Sequence, residues 1–285
     1  MLFRSSETDT LSKSGRYHNF KDFMSFPDIG RSDLLYAPVI PLEHRRLPRR
    51  ESILNIIRDQ DILLHYPYQS FHYIIDLLRE ASIDPGVKAI KMTLYRVAKD
   101  SRVVNALINA ARNGKSVTVF MELQARFDEE ANIYWAGKLE EEGVKLIQGI
   151  PGFKVHCKLL LIRRKEGDKN VYYANVGTGN FNEETARVYA DDSLLTADPQ
   201  VTADVNAVFH LFESKYNPPR FKSLIVAPFH MRNYFTRMIN NEIRNAKNGK
   251  EAWCIIKLNN LVDDKMVKKL YQAGNAGVKV RIICR

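Results

Sequence analysis

Residues 87–123 read VKAIKMTLYRVAKDSRVVNALINAARNGKSVTVFMEL. Residues 87–95 (VKAIKMTLY) alternate in the manner of a strand. Residues 102–113 carry apolar residues at helical spacing and are closed by Gly114. Residues 117–123 (VTVFMEL), mostly apolar and rich in β-branched residues, read as a buried strand. Strand, helix, glycine turn and strand make one βαβ unit. Downstream, residues 129–142 read as a helix closed by Gly143, and residues 144–147, 155–162 and 171–176 as strands. A further helix covers residues 201–212. Upstream, Ile53, Ile56 and Ile57 give a short helix, broken at Tyr66-Pro67-Tyr68. Phe71, Ile74, Ile75, Leu77 and Leu78 give a second helical stripe that stops near Asp84-Pro85-Gly86. Strands alternating with helices through short glycine-capped turns predict an α/β layer fold.

The same order returns in residues 256–285, IKLNNLVDDKMVKKLYQAGNAGVKVRIICR. Lys91 pairs with Lys257, Leu107 with Leu270, Gly114 with Gly277 and Val117 with Val280. The repeat predicts a duplicated domain. The second copy reaches Arg285, the residue matching Glu122, inside a predicted strand. Unpaired strand backbone is a liability, so the expectation is a fragment cut within its second copy. The expected division is 1–42 (the end of a preceding domain, or a linker), 43–222 (the first α/β domain) and 223–285 (the truncated start of the second).

Composition narrows the class. The chain has 285 residues, 45% of them hydrophobic, enough for a sizeable core. No apolar run has the length of a membrane span, and MLFRSSETDTLSKSG lacks the apolar centre of a secretory signal. Cys157, Cys254 and Cys284 are well separated with no CxxC pair, against a disulfide scaffold or a cysteine zinc site. A reducing cytoplasm is the compartment expected, with membrane association of a longer parent protein left open. The net charge of +10 favours an anionic partner: nucleic acid, a membrane surface or a phosphate-rich substrate.

The chemistry concentrates in PGFKVHCKLL, residues 151–160. On a strand, Lys154, His156 and Lys158 share one face and Cys157 faces the other, where it reads as a core thiol. An imidazole between two ammonium groups is held neutral, and a neutral imidazole can attack phosphorus while the lysines offset charge on phosphoryl oxygens. The next strand leads into Gly177-Thr178-Gly179-Asn180, whose small residues let backbone N–H groups approach an anion. His65 and His72, flanked by aromatics, read as packing residues.

HxK followed by a strand and GTGN resembles the half-site of the phospholipase D superfamily, in which two such half-sites meet. The acidic residue that its lipase branch carries five positions after the lysine is Arg163 here, which argues against lipid hydrolysis. IKMTLYRVAKDS, ELQARFDEEANIYWAGKLEEEGV, PGFKVHCKLLLI, NVGTGNFNEETARVYADDSLLT and IKLNNLVD resemble polyphosphate kinases of the first, histidine-phosphorylating bacterial type. The resemblance runs from about residue 52 to residue 285. It implies an α/β, phospholipase D-like α-β-α layered domain followed by an incomplete second copy. It also implies reversible transfer of the terminal phosphate of ATP to the end of a polyphosphate chain.

Carried over residue by residue, the resemblance makes His156 the phosphorylated nucleophile, with Lys158 beside it. It makes Tyr189 and Arg285 nucleotide contacts, and Arg96 and Arg126 positions associated with magnesium (Mg2+). A guanidinium has no lone pair to give a cation, so these two arginines are expected to clamp phosphates beside the magnesium. Asn180 is expected to contact phosphate. Lys257, Asn259 and Asn260 are weaker phosphate candidates, equally readable as strand-end polar residues. The implied partners are ATP, ADP and inorganic polyphosphate, with no nucleic acid. The full-length protein is expected to be a homo-oligomer, with its N-terminal, head and remaining second catalytic domains outside this chain. The family's second histidine, the acid/base partner, falls beyond Arg285. Two other readings stay open on the residues alone. One is a phosphodiesterase or phospholipase. The other is a polyanion-binding module, whose binding would be salt-sensitive without chemistry at His156.

Overall fold

A computed structural model describes residues 27–122, 129–150, 154–213 and 219–284. The chain divides into two compact units, Met1–Ile40 and Pro41–Arg285. The described part of the first holds one 3-10 turn, Ser32–Leu34, beside an Arg31–Asp33 ion pair.

The second unit is built on a mixed seven-stranded sheet. Its strands are β1 (Ile62–Tyr66), β2 (Val87–Leu94), β3 (Ser116–Met121), β4 (Lys145–Gln148), β5 (Lys158–Glu166), β6 (Lys169–Gly177) and β7 (Asp191–Thr196). They lie in the order β1-β7-β6-β5-β2-β3-β4. β2, β3 and β4 are mutually parallel, whereas β5 is antiparallel to β2, and β6, β7 and β1 follow antiparallel. The reversal at β2/β5 has a direct consequence for function. The C-terminal ends of β2, β3 and β6 and the starts of β5 and β7 all fall at one end of the sheet.

Helices cover both faces. On one side α1 (Ile53–Asp59), α2 (His72–Ile83), α3 (Arg102–Arg112) and α4 (Glu129–Glu141) bury Leu54, Ile74, Leu78, Val104, Leu107 and Leu139 against Ile90, Met92, Val119 and Leu160. On the other side α5 (Pro199–Glu213) buries Val205, Val208 and Phe209 against Phe120, Leu159, Leu161 and Ala174. Covering on both faces explains why β5 opens with four apolar residues in a row, Leu159 to Ile162, rather than an alternation. Each such side chain contributes roughly 1.5–3 kcal/mol on full burial.

The helix ends are written in the sequence. Ser101 caps α3 by accepting from the Val104 amide at 3.2 Å, and the Glu183 carboxylate accepts from the Arg102 and Val103 amides at 2.6 and 3.2 Å. Gly114, at φ +75°, turns the chain into β3 at a backbone conformation that costs glycine nothing. The repeat is structural as well. β8 (Trp253–Leu258), α7 (Asp264–Asn275) and β9 (Lys279–Cys284) form a parallel βαβ unit like β2-α3-β3, with Asp263 capping α7 where Ser101 caps α3. This unit packs with α6 (Met231–Lys247) around Ile239, Leu270, Ala273 and Val278.

Three readings of the sequence need correction. The strand expected from residue 155 begins at Lys158, so residues 154–157 form an irregular lead-in. Cys157, read as a core thiol by strand alternation, is exposed because that alternation does not apply before the strand starts. His72, read as a packing residue, is exposed at the start of α2. Strands β1 and β7 had no counterpart in the sequence reading.

Candidate active site

The lead-in to β5 is held from behind by β2. Thr93 Oγ1 donates to the Cys157 carbonyl at 2.8 Å and accepts from the Leu159 amide at 2.9 Å. One hydroxyl thus fixes the backbone on both sides of Lys158. Lys158 is only 5% exposed. Its Nζ donates to the His156 carbonyl and lies 3.1 Å from His156 Nδ1. Lys154, His156 and Lys158 come together as expected, although backbone hydrogen bonds rather than strand pleating achieve it.

Tyr95, the residue just beyond β2, sits at the centre of this group. Its ring meets the His156 imidazole edge-on, with centroids 4.7 Å apart. Lys154 Nζ and Lys158 Nζ lie 5.1 and 5.4 Å from the ring centroid, within cation–π range. The Tyr95–Arg96–Val97 arm is pinned by the wholly buried Asn132 of α4. Its amide donates to the Tyr95 and Glu122 carbonyls, both at 2.9 Å, and accepts from the Val97 amide at 3.3 Å. Asn132→Leu would strand these three backbone groups, and the expected loss is about 3 kcal/mol or more. Urea unfolding measures it; a change below about 1 kcal/mol would show that the arm does not depend on the clamp.

Electrostatics follow from this packing. The His156 pKa is pushed down to about 4, by burial of the ring and then by the charges of Lys158, Lys154 and Arg96. The residue keeps an open side to solvent, so the imidazole is both neutral at pH 7 and reachable. Burial likewise lowers Lys158, to about 8, with Arg96 and Lys154 adding to the drop and Cys157 and Asp191 opposing it.

Across the site, Thr178 Oγ1 donates to Asp191 Oδ1 at 2.7 Å and accepts from the Asp192 amide at 3.0 Å, tying the turn after β6 to the start of β7. A Cβ on Gly179 would lie 2.5 Å from Asp191 Oδ2 and 2.8 Å from Asp191 Cβ, so glycine is required there by space. Gly179→Ala is expected to push Asp191 off Thr178 and cost about 1–3 kcal/mol, read as a drop in Tm. An unchanged Tm would mean that the turn relaxes freely. Asn180 is half-buried with its Oδ1 enclosed and without a hydrogen-bond partner. An enclosed acceptor calls for a donor such as a substrate hydroxyl or a water. Tyr189 is 42% exposed, its amide donating to the Thr185 carbonyl at 3.0 Å. Arg126 and Arg285 lie outside the described residues.

Other candidates separate from this group. Arg163, in mid-β5, is roughly 16 Å along the strand from Lys158. Lys91 is held by Glu213 at 3.5 Å, which also pairs with Lys145 at 3.1 Å. The repeat equates Lys257 with Lys91, which favours the structural reading of Lys257. His65 stacks on Tyr68 and pairs with Asp192 at 2.6 Å. Among the described residues no group of three or more His, Cys, Asp or Glu could hold a metal ion. A protein-caged magnesium does not fit this donor set; magnesium carried on the phosphate oxygens of a nucleotide does.

Sequence reasoning missed Thr93, Tyr95, Asn132 and Asp191. A polar threonine inside an apolar strand, and an aromatic-arginine pair at the strand's C-terminal end, were the signals available for the first two.

A histidine and two lysines, in the lead-in and first residue of one strand, lie with a glycine-rich turn at one end of an α-β-α layered sheet. This arrangement defines an α/β protein of α-β-α layered class, with a second βαβ copy begun in β8-α7-β9. The phosphatidylserine synthase of Haemophilus influenzae shares the fold, with a TM-score of 0.52 and 13% identity over 79% of this chain and 61% of its own. Residues 52–218 match the family model of polyphosphate kinase C-terminal domain 1, and residues 224–285 that of polyphosphate kinase C-terminal domain 2. The chain belongs to the polyphosphate kinase family. It is 52% identical over 280 residues to the polyphosphate kinase of Vibrio cholerae and 49% identical over 282 residues to that of Escherichia coli. In both cases 98% of this chain is covered, and it spans only 40% and 41% of those relatives. The crystal structure of polyphosphate kinase from Porphyromonas gingivalis superposes with a TM-score of 0.82 at 38% identity, covering 95% of this chain and 46% of that one.

Proposed function

We propose that the longer protein to which this chain corresponds is an ATP:polyphosphate phosphotransferase working through a phosphohistidine at His156. The observation that supports this most is a neutral, solvent-reachable imidazole ringed by Lys154, Lys158 and Arg96. The lone pair on Nδ1 faces the Lys158 ammonium while no substrate is present. An incoming phosphate competes for that ammonium and frees the ring. The imidazole then attacks the γ-phosphorus of magnesium-bound ATP. An N–P bond forms as the bond from phosphorus to the ADP oxygen breaks, and the cations neutralise the transferring oxygens. A terminal oxygen of the polyphosphate chain attacks in turn. The N–P bond breaks and the polymer is one phosphate longer; the reverse sequence regenerates ATP.

In this reading Arg96 and Arg126 clamp phosphates, Tyr189 and Arg285 contact the nucleotide, and Asn180 donates its amide to phosphate. The proposed domain division is 43–222 for the first catalytic domain and 223–285 for the start of the second. The second histidine, as acid, would come from outside residues 1–285, which alone are inferred to turn over weakly or not at all. A homo-oligomer in the cytoplasm remains the inferred setting; among the described residues no helix is long and apolar enough to cross a membrane.

The test uses the full-length protein with γ-labelled ATP and magnesium. Acid-labile, base-stable label on the protein together with labelled polymer is the expected result. Phosphodiester cleavage without either would return the chain to the hydrolase reading.

A further inference from the structure

We infer that Tyr95 is a positioning residue whose aromatic face gathers Lys154 and Lys158 beside His156, supplying a neutral counter-group where a carboxylate would defeat the site. The inference rests on the phosphohistidine reading for its purpose, but its geometry stands alone. Three cationic side chains, Lys154, Lys158 and Arg96, act on one imidazole, and the ring lies within 5.1–5.4 Å of both ammonium groups. Lys158 forms no ion pair among the described residues, and Asp191, the acid acting on it, is engaged by Thr178. Two ammonium groups held this close to one imidazole repel each other, and the ring face attracts both.

A carboxylate would supply attraction at a double cost. It would raise the imidazole pKa toward the charged, non-nucleophilic form, and it would repel an incoming chain of phosphates. An aromatic quadrupole attracts ammonium without net charge. It is also weak enough to surrender both lysines once phosphoryl oxygens arrive. The ring is held for this role: Tyr95 is 8% exposed, and its carbonyl is anchored by Asn132.

The ring face, not the hydroxyl, is therefore the functional part. The test places tyrosine, phenylalanine, and mono- and trifluorinated phenylalanine at position 95 of the full-length protein, with Tyr95→Leu alongside. The fluorinated rings keep shape and packing while progressively removing the negative face, so a folding defect in Tyr95→Leu does not decide the outcome. Two quantities are read. One is the single-turnover rate of label transfer from γ-labelled ATP to His156. The other is the pH midpoint of His156 carbethoxylation by diethylpyrocarbonate, which reacts with the neutral imidazole and needs no phosphoryl transfer.

Among the described residues, the charges acting on the imidazole are those of Lys158, Lys154 and Arg96, and the titratable group packed against it is Tyr95. As the ring loses its hold, the lysines spread and the midpoint climbs from about 4. Phenylalanine is expected to stay within about twofold of tyrosine, and trifluorophenylalanine to be roughly three- to tenfold slower. A flat response in both quantities, or phenylalanine as impaired as leucine, would overturn the inference. If the unaltered protein takes no label, the phosphohistidine reading falls, while the carbethoxylation midpoints still decide the role of the ring.

Discussion

His156→Ala in the full-length protein is expected to abolish both protein-bound label and polymer synthesis from γ-labelled ATP, a loss on the order of 10⁴-fold or more. The size follows from the mechanism. On the proposed mechanism the lysines and arginines lower the charge penalty of transfer while His156 forms the covalent intermediate, a role alanine cannot take. The substitution should be structurally benign. His156 lies before β5, is exposed, and holds Lys158 through its backbone carbonyl as well as its ring, so the carbonyl contact survives the substitution. A Tm within a degree or two of the parent would accompany the loss. Label persisting in the variant would move the nucleophile elsewhere and break the assignment.

The second large effect concerns Lys158 and carries a pH signature. Lys158→Ala should slow transfer by on the order of 10²- to 10³-fold, the usual consequence of removing a charge aimed at a transition-state oxygen. In the unaltered enzyme the imidazole must be neutral, which holds above about 4, and Lys158 must be charged, which holds below about 8. The kcat/KM profile should therefore rise through the first value and fall through the second. Bound phosphate stabilises the ammonium, so the alkaline limb of kcat lies at higher pH than that of kcat/KM. Lys158→Arg keeps its charge across this range. It should lose the alkaline limb while remaining slower, because its planar head does not reproduce an ammonium packed against Nδ1. An alkaline limb unchanged in Lys158→Arg would assign that ionisation to another group.

Elements with their own period and their own stop were legible in the sequence. β2, α3 and β3 each carry a clear apolar pattern, and Ser101 and Gly114 mark the helix ends. β1 was not legible because it is a five-residue strand whose Ile62, Leu64 and Tyr66 become a buried face only when β7 pairs with it. β7 opens with two acids, Asp191 and Asp192, and reads as a loop until Thr178 and His65 engage them. His156 and Lys158 could be found because they lie two residues apart in one short motif. Tyr95, Thr93, Asn132 and Asp191 arrive from β2, α4 and β7, and only the reversal of strand direction at β2/β5 makes them neighbours. The lead-in to β5 misled for a related reason: its alternating lysines imitate a strand, while a threonine hydroxyl on another strand sets its path.

The β5–β6 hairpin turns at Gly167, at the opposite end of two nine-residue strands from Lys158. Its tip residues, Gly167 to Asn170, are all exposed. Strands of that length place the tip roughly 27 Å from Lys158. A dye or a short epitope attached at Asp168 would thus ride on the same two strands that lead away from His156 and the glycine-rich turn, yet stay clear of both. It offers a handle for reporting on the candidate site from a distance.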